Sequence, residues 1–496
     1  MDRKEGGRVG APKFPMPVQY DFLLYYAYLQ ENKDAEEFAL FSLDKMSNGG
    51  IYDQIGGGFS RYSVDDKWLV PHFEKMLYDN ALLLQVFAKA YRKTNNPRYK
   101  EILQQTIAFL NRELKSDEGF YYSSLDADSE GEEGKYYVWT YEEINSLFGN
   151  NSTLIHDFYN ISEAGNWEQR KNILHRTRSP KTFAEWDGIK LSEFNEFLES
   201  ANKKLLNFRS KRVSPNVDDK VVSAWNAMMI SALTEAYLSL GDSSYLLDAK
   251  NTADLLLVKC ITPEFRINRN YKNGKSNING FLDDYAFTIK AFLDLYESTF
   301  EVKYLFVARN MMDYTIRQFY DNKSGNFFYT ANIDRALVVR KIEVEDNVIP
   351  SSNSMMSINL RRLGLILNQP SYLKKSDQLV ANHMEEAILY GPFYSNWAIS
   401  LTDYIEEPFQ IAILGDSCLD WMKSIKREYI PNAVVVGSKK SSNTGILKGK
   451  YASGVTRAFV CKDKTCSTPL SSVEDVLNYI SPEQKPILSL DKNEKE

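Results

Sequence analysis

Basic clusters, cysteines, histidines and long apolar runs are all scarce in this 496-residue chain, and each scarcity removes a class of function. Lys and Arg number 60 against 66 Asp and Glu, a net charge of −6, and no run of Lys and Arg is interleaved with aromatic residues. Phosphate backbones and anionic membrane surfaces need concentrated positive charge, so neither nucleic acid nor membrane is expected as a partner. No apolar run reaches transmembrane length, and the N-terminus MDRKEGGRVGAPKFP lacks the apolar core of a signal peptide. The four cysteines, Cys260, Cys418, Cys461 and Cys466, are too few and too scattered for a disulfide framework. A reducing, cytoplasmic setting is the expectation. Cys461 and Cys466 match neither a redox CxxC nor a common zinc spacing, and a structural thiol pair is the default reading.

Cofactor signatures are missing as well. GGG at 56–58 precedes Phe59 and Arg61 rather than opening a nucleotide-binding strand–turn–helix, so it reads as a tight turn and not a phosphate loop. No metal and no cofactor is expected.

Aromatic residues, by contrast, are plentiful at 13%, with 31 Tyr and 27 Phe. Carbohydrate clefts are rich in such rings, but a tightly packed helical toroid accounts for them more simply. From 18 to 403, amphipathic stretches arrive in pairs joined by short turns. In the clearest pair, Leu282, Tyr285, Ala286, Ile289, Leu293 and Tyr296 form one apolar stripe at helical spacing, and Phe287, Ala291 and Leu295 a second. The next stretch has a single stripe, Leu305, Ala308, Met312, Ile316 and Phe319. An inner helix covered on two sides is thus followed by an outer helix with one wet face. The unit recurs near 18–31 and 34–47, 74–93 and 97–114, 220–240 and 243–259, and 352–367 and 371–389. A less regular pair within 141–210 brings the count to six. The predicted fold is mainly α, a six-hairpin (α/α) toroid with short β-hairpins at one rim; an open solenoid is the alternative. Residues 1–17 read as a junction segment, 404–485 as a small α/β subdomain carrying FQIAILG, NAVVVG and TRAFVC, and 486–496 as a disordered tail.

Four unusual segments fall at inner-helix starts: VPHFEKMLYDN (70–80), DDKVVSAWN (218–226), FLDDYAF (281–287) and PSSNS (350–354). Helices that run the same way round a ring bring these starts to one rim. Helix starts also present free N–H groups to polar ligands. Asp219, Asp283 and Asp284 are the candidate acids, with His72 as a proton carrier; capping and core hydrogen bonding are the structural alternatives for the acids. Glu74 stands two positions after His72, which on a helix would make a poor metal pair. Trp139, Trp225 and Tyr285 are candidate stacking surfaces. Arg61 and Asn353 would orient hydroxyls, and Tyr62, Asp79, Asn80 and Asn226 complete the ligand-binding set. In LDADSEGEEGKYYVW (125–139), Asp126, Asp128, Glu130 and Gly131 match the first half of a calcium loop. Tyr137 stands where the bidentate Glu is needed, so a loop overhanging the funnel is the better reading, with Asp126 and Asp128 offered to a ligand.

GGGFSRYSVDDKWLVPHFEKMLYDNALL, SLDADSEGEEGKYYVWT, DDKVVSAWNAMMISAL, LDDYAF and the Cys461/Cys466 segment together resemble the YyaL-like proteins, related to the spermatogenesis-associated thioredoxin-domain proteins. The resemblance covers nearly the whole chain. It implies a toroid similar to six-hairpin glycosidases, N-acylglucosamine 2-epimerase and cellobiose epimerase, preceded by a thioredoxin-like domain that this chain lacks. WNAM stands where WNGL is usual and PSSNS where PSGNS is usual, each adding a side chain where Gly permits close approach. The related epimerases use paired His, and only His72 lies in a matching block.

Two functions follow as expectations. One is a carbohydrate-processing enzyme, epimerase-, isomerase- or hydrolase-like on a small sugar, in an acidic cleft at the inner-helix rim. The other is a non-catalytic scaffold that partners a separate thioredoxin-fold protein.

Overall fold

The computed structural model describes residues 1–335 and 339–480, so the expected tail at 486–496 lies outside the described residues. Helices dominate, and their apolar patterning explains their arrangement. The first inner helix, α1 (Pro17–Gln30), is followed by the outer α2 (Lys33–Asn48), and α3 (Leu77–Thr94) by α4 (Pro97–Phe109). Turns between partners are set by local chemistry. Asn95 adopts a left-handed φ of 53° to end α3, and the Asn96 side chain accepts from the Arg98 N–H to start α4, with Pro97 in its first turn.

Four further helices, α5 (Tyr141–Phe148), α6 (Ser152–Tyr159), α7 (Pro180–Asp187) and α8 (Leu191–Arg209), depart from expectation. The ring pair expected within 141–210 is absent. The four helices bury Ile144, Phe158, Phe183, Phe194 and Leu205 against one another in a core of their own. Three of them are only eight residues long, too short to span a ring built from helices of 11 to 20 residues. The ring resumes with α9 (Ser223–Leu240) and α10 (Ser243–Lys259), α11 (Leu282–Thr299) and α12 (Val302–Phe319), and α13 (Ser352–Leu367) and α14 (Pro370–Leu389). Its sixth inner helix is α15 (Ser395–Ile405), and among the described residues no outer helix follows it.

Each inner helix packs on the next in the order α1, α3, α9, α11, α13, α15, and α15 packs back on α1. The ring is closed, and the solenoid alternative falls. Helix α11 is buried through both its stripes, whereas α12 buries Leu305, Ala308, Met312 and Phe319 and exposes Val302 and Phe306. Six inner helices therefore face only five outer ones.

Short strands cap the rim at the inner-helix starts: β1 (Tyr62–Ser63) pairs with β2 (Pro71–His72), β3 (Lys75–Met76) with β4 (Ser124–Leu125), and β5 (Asp128–Ser129) with β6 (Glu132–Glu133). Strand β7 (Val217–Asp218) joins β4, and β8 (Val221–Val222) pairs with β9 (Asn270–Tyr271). At the opposite end sits a four-stranded sheet. Strand β10 (Phe409–Leu414) runs parallel to β11 (Ala433–Ser438) through the crossover helix α16 (Cys418–Arg427), and antiparallel to β12 (Arg457–Lys462). Strand β13 (Thr465–Cys466) forms the edge, and α17 (Val473–Ile480) packs on α16 and β12. Cys461 and Cys466 face each other across β12 and β13 as a disulfide, where a thiol pair was expected. Among the described residues no helix is long and apolar enough to cross a membrane.

Candidate functional site

The rim gathers its most reactive groups on α3 and the hairpins above it. His72 lies on β2, where residues two apart share a face, so Glu74 comes within 3.7 Å of His72 Nε2. The helical spacing assumed for that pair does not apply, because the helix starts only at Leu77. His72 Nδ1 is 2.8 Å from Glu133 Oε1, and its ring stacks on Tyr62 at 4.9 Å. Glu133 pairs with Asp128 across the β5–β6 hairpin, so the acidic loop does reach over the rim, through a residue that spacing alone did not single out. Asp126 and Asp128 are exposed on the same loop.

Arg61 NH1 donates to Glu74 at 3.3 Å, while its buried Nε has no partner. Beneath it, Asp79 is fully buried, and neither carboxyl oxygen accepts a hydrogen bond within normal limits. Burial pushes this carboxyl well above its usual range, with the nearby Glu74 adding to the effect against the pull of Arg61. Tyr78 beside Asp79 meets Trp225 from α9 at 4.9 Å, which gives the rim an aromatic wall. Arg61, Tyr62, His72, Asp79 and Trp225 thus come together, joined by Glu74, Tyr78 and Glu133.

The remaining nominated residues have other partners. Asn80 accepts from the Phe59 N–H at 2.7 Å and donates back to the Phe59 carbonyl at 3.0 Å. Asn226 does the same to Tyr121, and Asn353 to Phe327. All three amides are fully buried. Their recurrence is a repeated clip that ties three of the inner helices, α3, α9 and α13, to a Gly-aromatic turn. Tyr285 occupies the equivalent place on α11, where its hydroxyl accepts from the Ile267 N–H at 3.2 Å. Trp139 is buried in the satellite core with Arg212 over its ring at 4.2 Å, away from the rim cluster.

Arg269 holds two of the acids. Its NH1 donates to both oxygens of Asp283 at 3.1 Å and to Asp284 at 3.0 Å. Asp284 also accepts from the Ala224 and Phe281 N–H groups, so it joins α9 to α11. Burial and the neighbouring Asp283 push the Asp284 carboxyl up, against Arg269 and those donors. Asp219 is surface-exposed and paired with Lys272 rather than capping a helix. Ser352, the side chain added in PSSNS, donates its hydroxyl to Glu343 at 2.7 Å.

Composition gave no warning of one buried network. Lys75 Nζ donates to Asp53 Oδ2 and to the Gly57 carbonyl, each at 2.9 Å, and Arg209 reaches Asp53 Oδ1 at 2.9 Å. Burial lowers the lysine to about 8, with Asp53 pulling the other way. Gly57 and Gly58 have φ of 80° and 86°, and a Cβ at Gly56 would lie 1.9 Å from Arg209. The glycine run is the tight turn expected. Among the described residues, no group of three His, Cys, Asp or Glu side chains is placed to hold a metal.

No family model matches the chain. It is 29% identical to human spermatogenesis-associated protein 20 over 97% of its own length and 68% of that protein's. The mouse protein of the same name is also 29% identical, over 95% and 66% respectively. The chain thus spans about two thirds of the length of these relatives. Similar solved structures include cellobiose 2-epimerase of Spirochaeta thermophila, with 12% identity, TM-score 0.41 and coverage of 75% of this chain and 86% of that one. A GH76 α-mannanase of Bacteroides thetaiotaomicron, again 12% identical with TM-score 0.41, is covered over 90% of its length by 84% of this chain.

Proposed function

We propose that the rim is the active site of a carbohydrate-processing enzyme that works by proton transfer on a small, hydroxyl-rich substrate, in the manner of an epimerase or isomerase. The observation that carries this reading is the division of labour around His72. Glu133 holds one ring nitrogen, the other faces Glu74, and both side chains keep about a quarter of their surface open (28% and 25%). An imidazole and a carboxylate in contact can pass a proton to and from a carbon beside a carbonyl. Hydrolysis would call for two facing carboxyls at a set separation, and the acids nominated for that task are bound to Arg269 and Lys272. Arg61 is paired with Glu74, and with 41% of its side chain open its guanidinium can also meet a substrate oxygen. Trp225 supports the apolar face of a ring.

Incubating the protein with aldoses, ketoses and disaccharides in deuterated water, followed by mass spectrometry, tests the reading. Deuterium is expected at a carbon next to the carbonyl. His72→Asn should lower kcat/KM about 10²–10⁴-fold, the range for loss of a general acid–base group. A clean negative across the panel would overturn it.

A second reading, a scaffold for a separate thioredoxin-fold protein, is favoured by the number of rim acids already paired. A pull-down that recovers no thioredoxin-fold partner counts against it.

A further inference from the structure

The ring surrounds a cavity of about 220 Å³ to which all six inner helices contribute. On α3 and α9 it begins at Leu82 and Met228, a turn deeper than Asp79 and Trp225, and at its far end it meets Lys426 and Tyr429 of the C-terminal subdomain. Its walls are ionic. Lys89 on α3 donates to both oxygens of Asp21 on α1 at 2.7 Å, and Arg92 is paired with Glu235 on α9. On α11, Lys290 holds Asp294 at 2.7 Å and the Gln85 carbonyl oxygen at 3.1 Å. Arg362 on α13 reaches Asp294 at 2.9 Å and Glu297 at 2.6 Å, and Lys426 adds a bond to Glu297 at 2.8 Å. Of the two remaining acids, Asp403 on α15 accepts from the Tyr25 hydroxyl of α1, and Glu428 is exposed.

Two observations point to an occupant. Tyr429 and Arg92 line this cavity, Tyr429 with only 8% of its surface exposed, and the buried Tyr429 hydroxyl and Arg92 Nε have no hydrogen-bond partner in the chain. Buried polar groups are nearly always satisfied, so donors left over at a cavity wall call for polar atoms inside it. The pairing of the walls selects the kind of molecule. Asp21, Glu235, Asp294 and Glu297 are each held by a basic side chain, so a charged ligand engaging these pairs would have to draw one member away and strand the other. Hydroxyl groups both donate and accept, and can bridge existing pairs without separating them. The volume lies below the usual range for ligand pockets, which limits the size.

We infer that the ring interior is a second binding site, distinct from the rim, for a small uncharged polyhydroxylated molecule. It does not depend on the catalytic reading of the rim. The test is saturable binding to the full chain, measured by native mass spectrometry and thermal shift. The panel comprises glycerol, erythritol, xylitol and myo-inositol, with gluconate, glucosamine and inorganic phosphate as charged counterparts. At least one neutral polyol should bind one to one, and none of the charged compounds should compete with it. Tyr429→Phe keeps the ring and removes the free hydroxyl, and should weaken that binding about tenfold, the value of one buried hydrogen bond. His72→Asn at the rim should leave the affinity unchanged. The inference fails if no polyol saturates, if the charged compounds bind as well, or if His72→Asn and not Tyr429→Phe weakens binding. Loss of rim catalysis with polyol binding intact sinks the rim reading alone.

Discussion

Asn80, Asn226 and Asn353 illustrate how a residue can be correctly noticed and wrongly understood. Their recurrence at inner-helix starts is plain in the sequence, as is the Gly-aromatic turn that follows several outer helices. That the amide turns back to close on the turn, rather than forward into the funnel, depends on strand pairing that no local pattern encodes. Asn226→Ala leaves the Tyr121 N–H and carbonyl without their side-chain partners. Urea denaturation should show a loss of about 1–3 kcal/mol, the cost of unsatisfied buried groups. The charged residues allow a second forecast. Burial raises the Asp403 carboxyl to about 6 from its ordinary value of 3.8. Between those values the native state holds a proton that the unfolded chain has released, so this group's contribution falls as pH rises through that window. Asp403→Asn removes the titration. Its melting temperature relative to wild type should climb from pH 4 to pH 7; a constant difference would mean that the carboxyl is ionised throughout.

At the scale of elements, the helix pairs were legible because their stripes differ: two on α11, one on α12. The satellite α5–α8 was not, since short amphipathic helices give the same periodicity whether they face a ring or one another. Its separate core has a consequence that can be measured. Phe194 lies in a stack with Phe158 and Phe183 at 5.2 and 4.8 Å. Phe194→Ala should cost about 3–5 kcal/mol of local stability. Hydrogen exchange should rise within 141–209 while α9 and α11 keep their protection, as expected for a sub-global unfolding unit. Uniform acceleration across the ring would instead make the satellite part of one cooperative core. The ionic belt works across elements too. Lys89–Asp21, Arg92–Glu235 and Arg362–Asp294 each join neighbouring inner helices. Their partners lie too far apart in the chain for spacing to reveal them.

For the whole molecule, the location of the cleft was legible only in part. Helix starts do converge on one rim, and Arg61, Tyr62, His72, Asp79 and Trp225 do meet there. The acids most prominent in the sequence, Asp219, Asp283 and Asp284, are bound to basic side chains. Glu133, which reaches His72 from another hairpin, came from a loop nominated for different residues. The sixth inner helix was also misplaced, because a helix without an outer partner breaks the repeat by which helices were recognised.

That missing partner bears on how the chain finds its fold. Among the described residues no outer helix follows α15, which packs on α13 and α14 and meets α1 at the seam of the ring. It is closed by contacts such as Tyr25 to Asp403 and Gln19 to Pro392, 378 and 373 residues apart in sequence. Contacts that enclose so long a loop come at a high entropic cost and form late. During synthesis the first helix must wait, its inner face uncovered on one side, until almost the whole toroid has emerged. The toroid is thus a spring-ring whose first and last inner helices meet late, and pulsed hydrogen exchange during refolding should find α1 and α15 protected after α9 and α11.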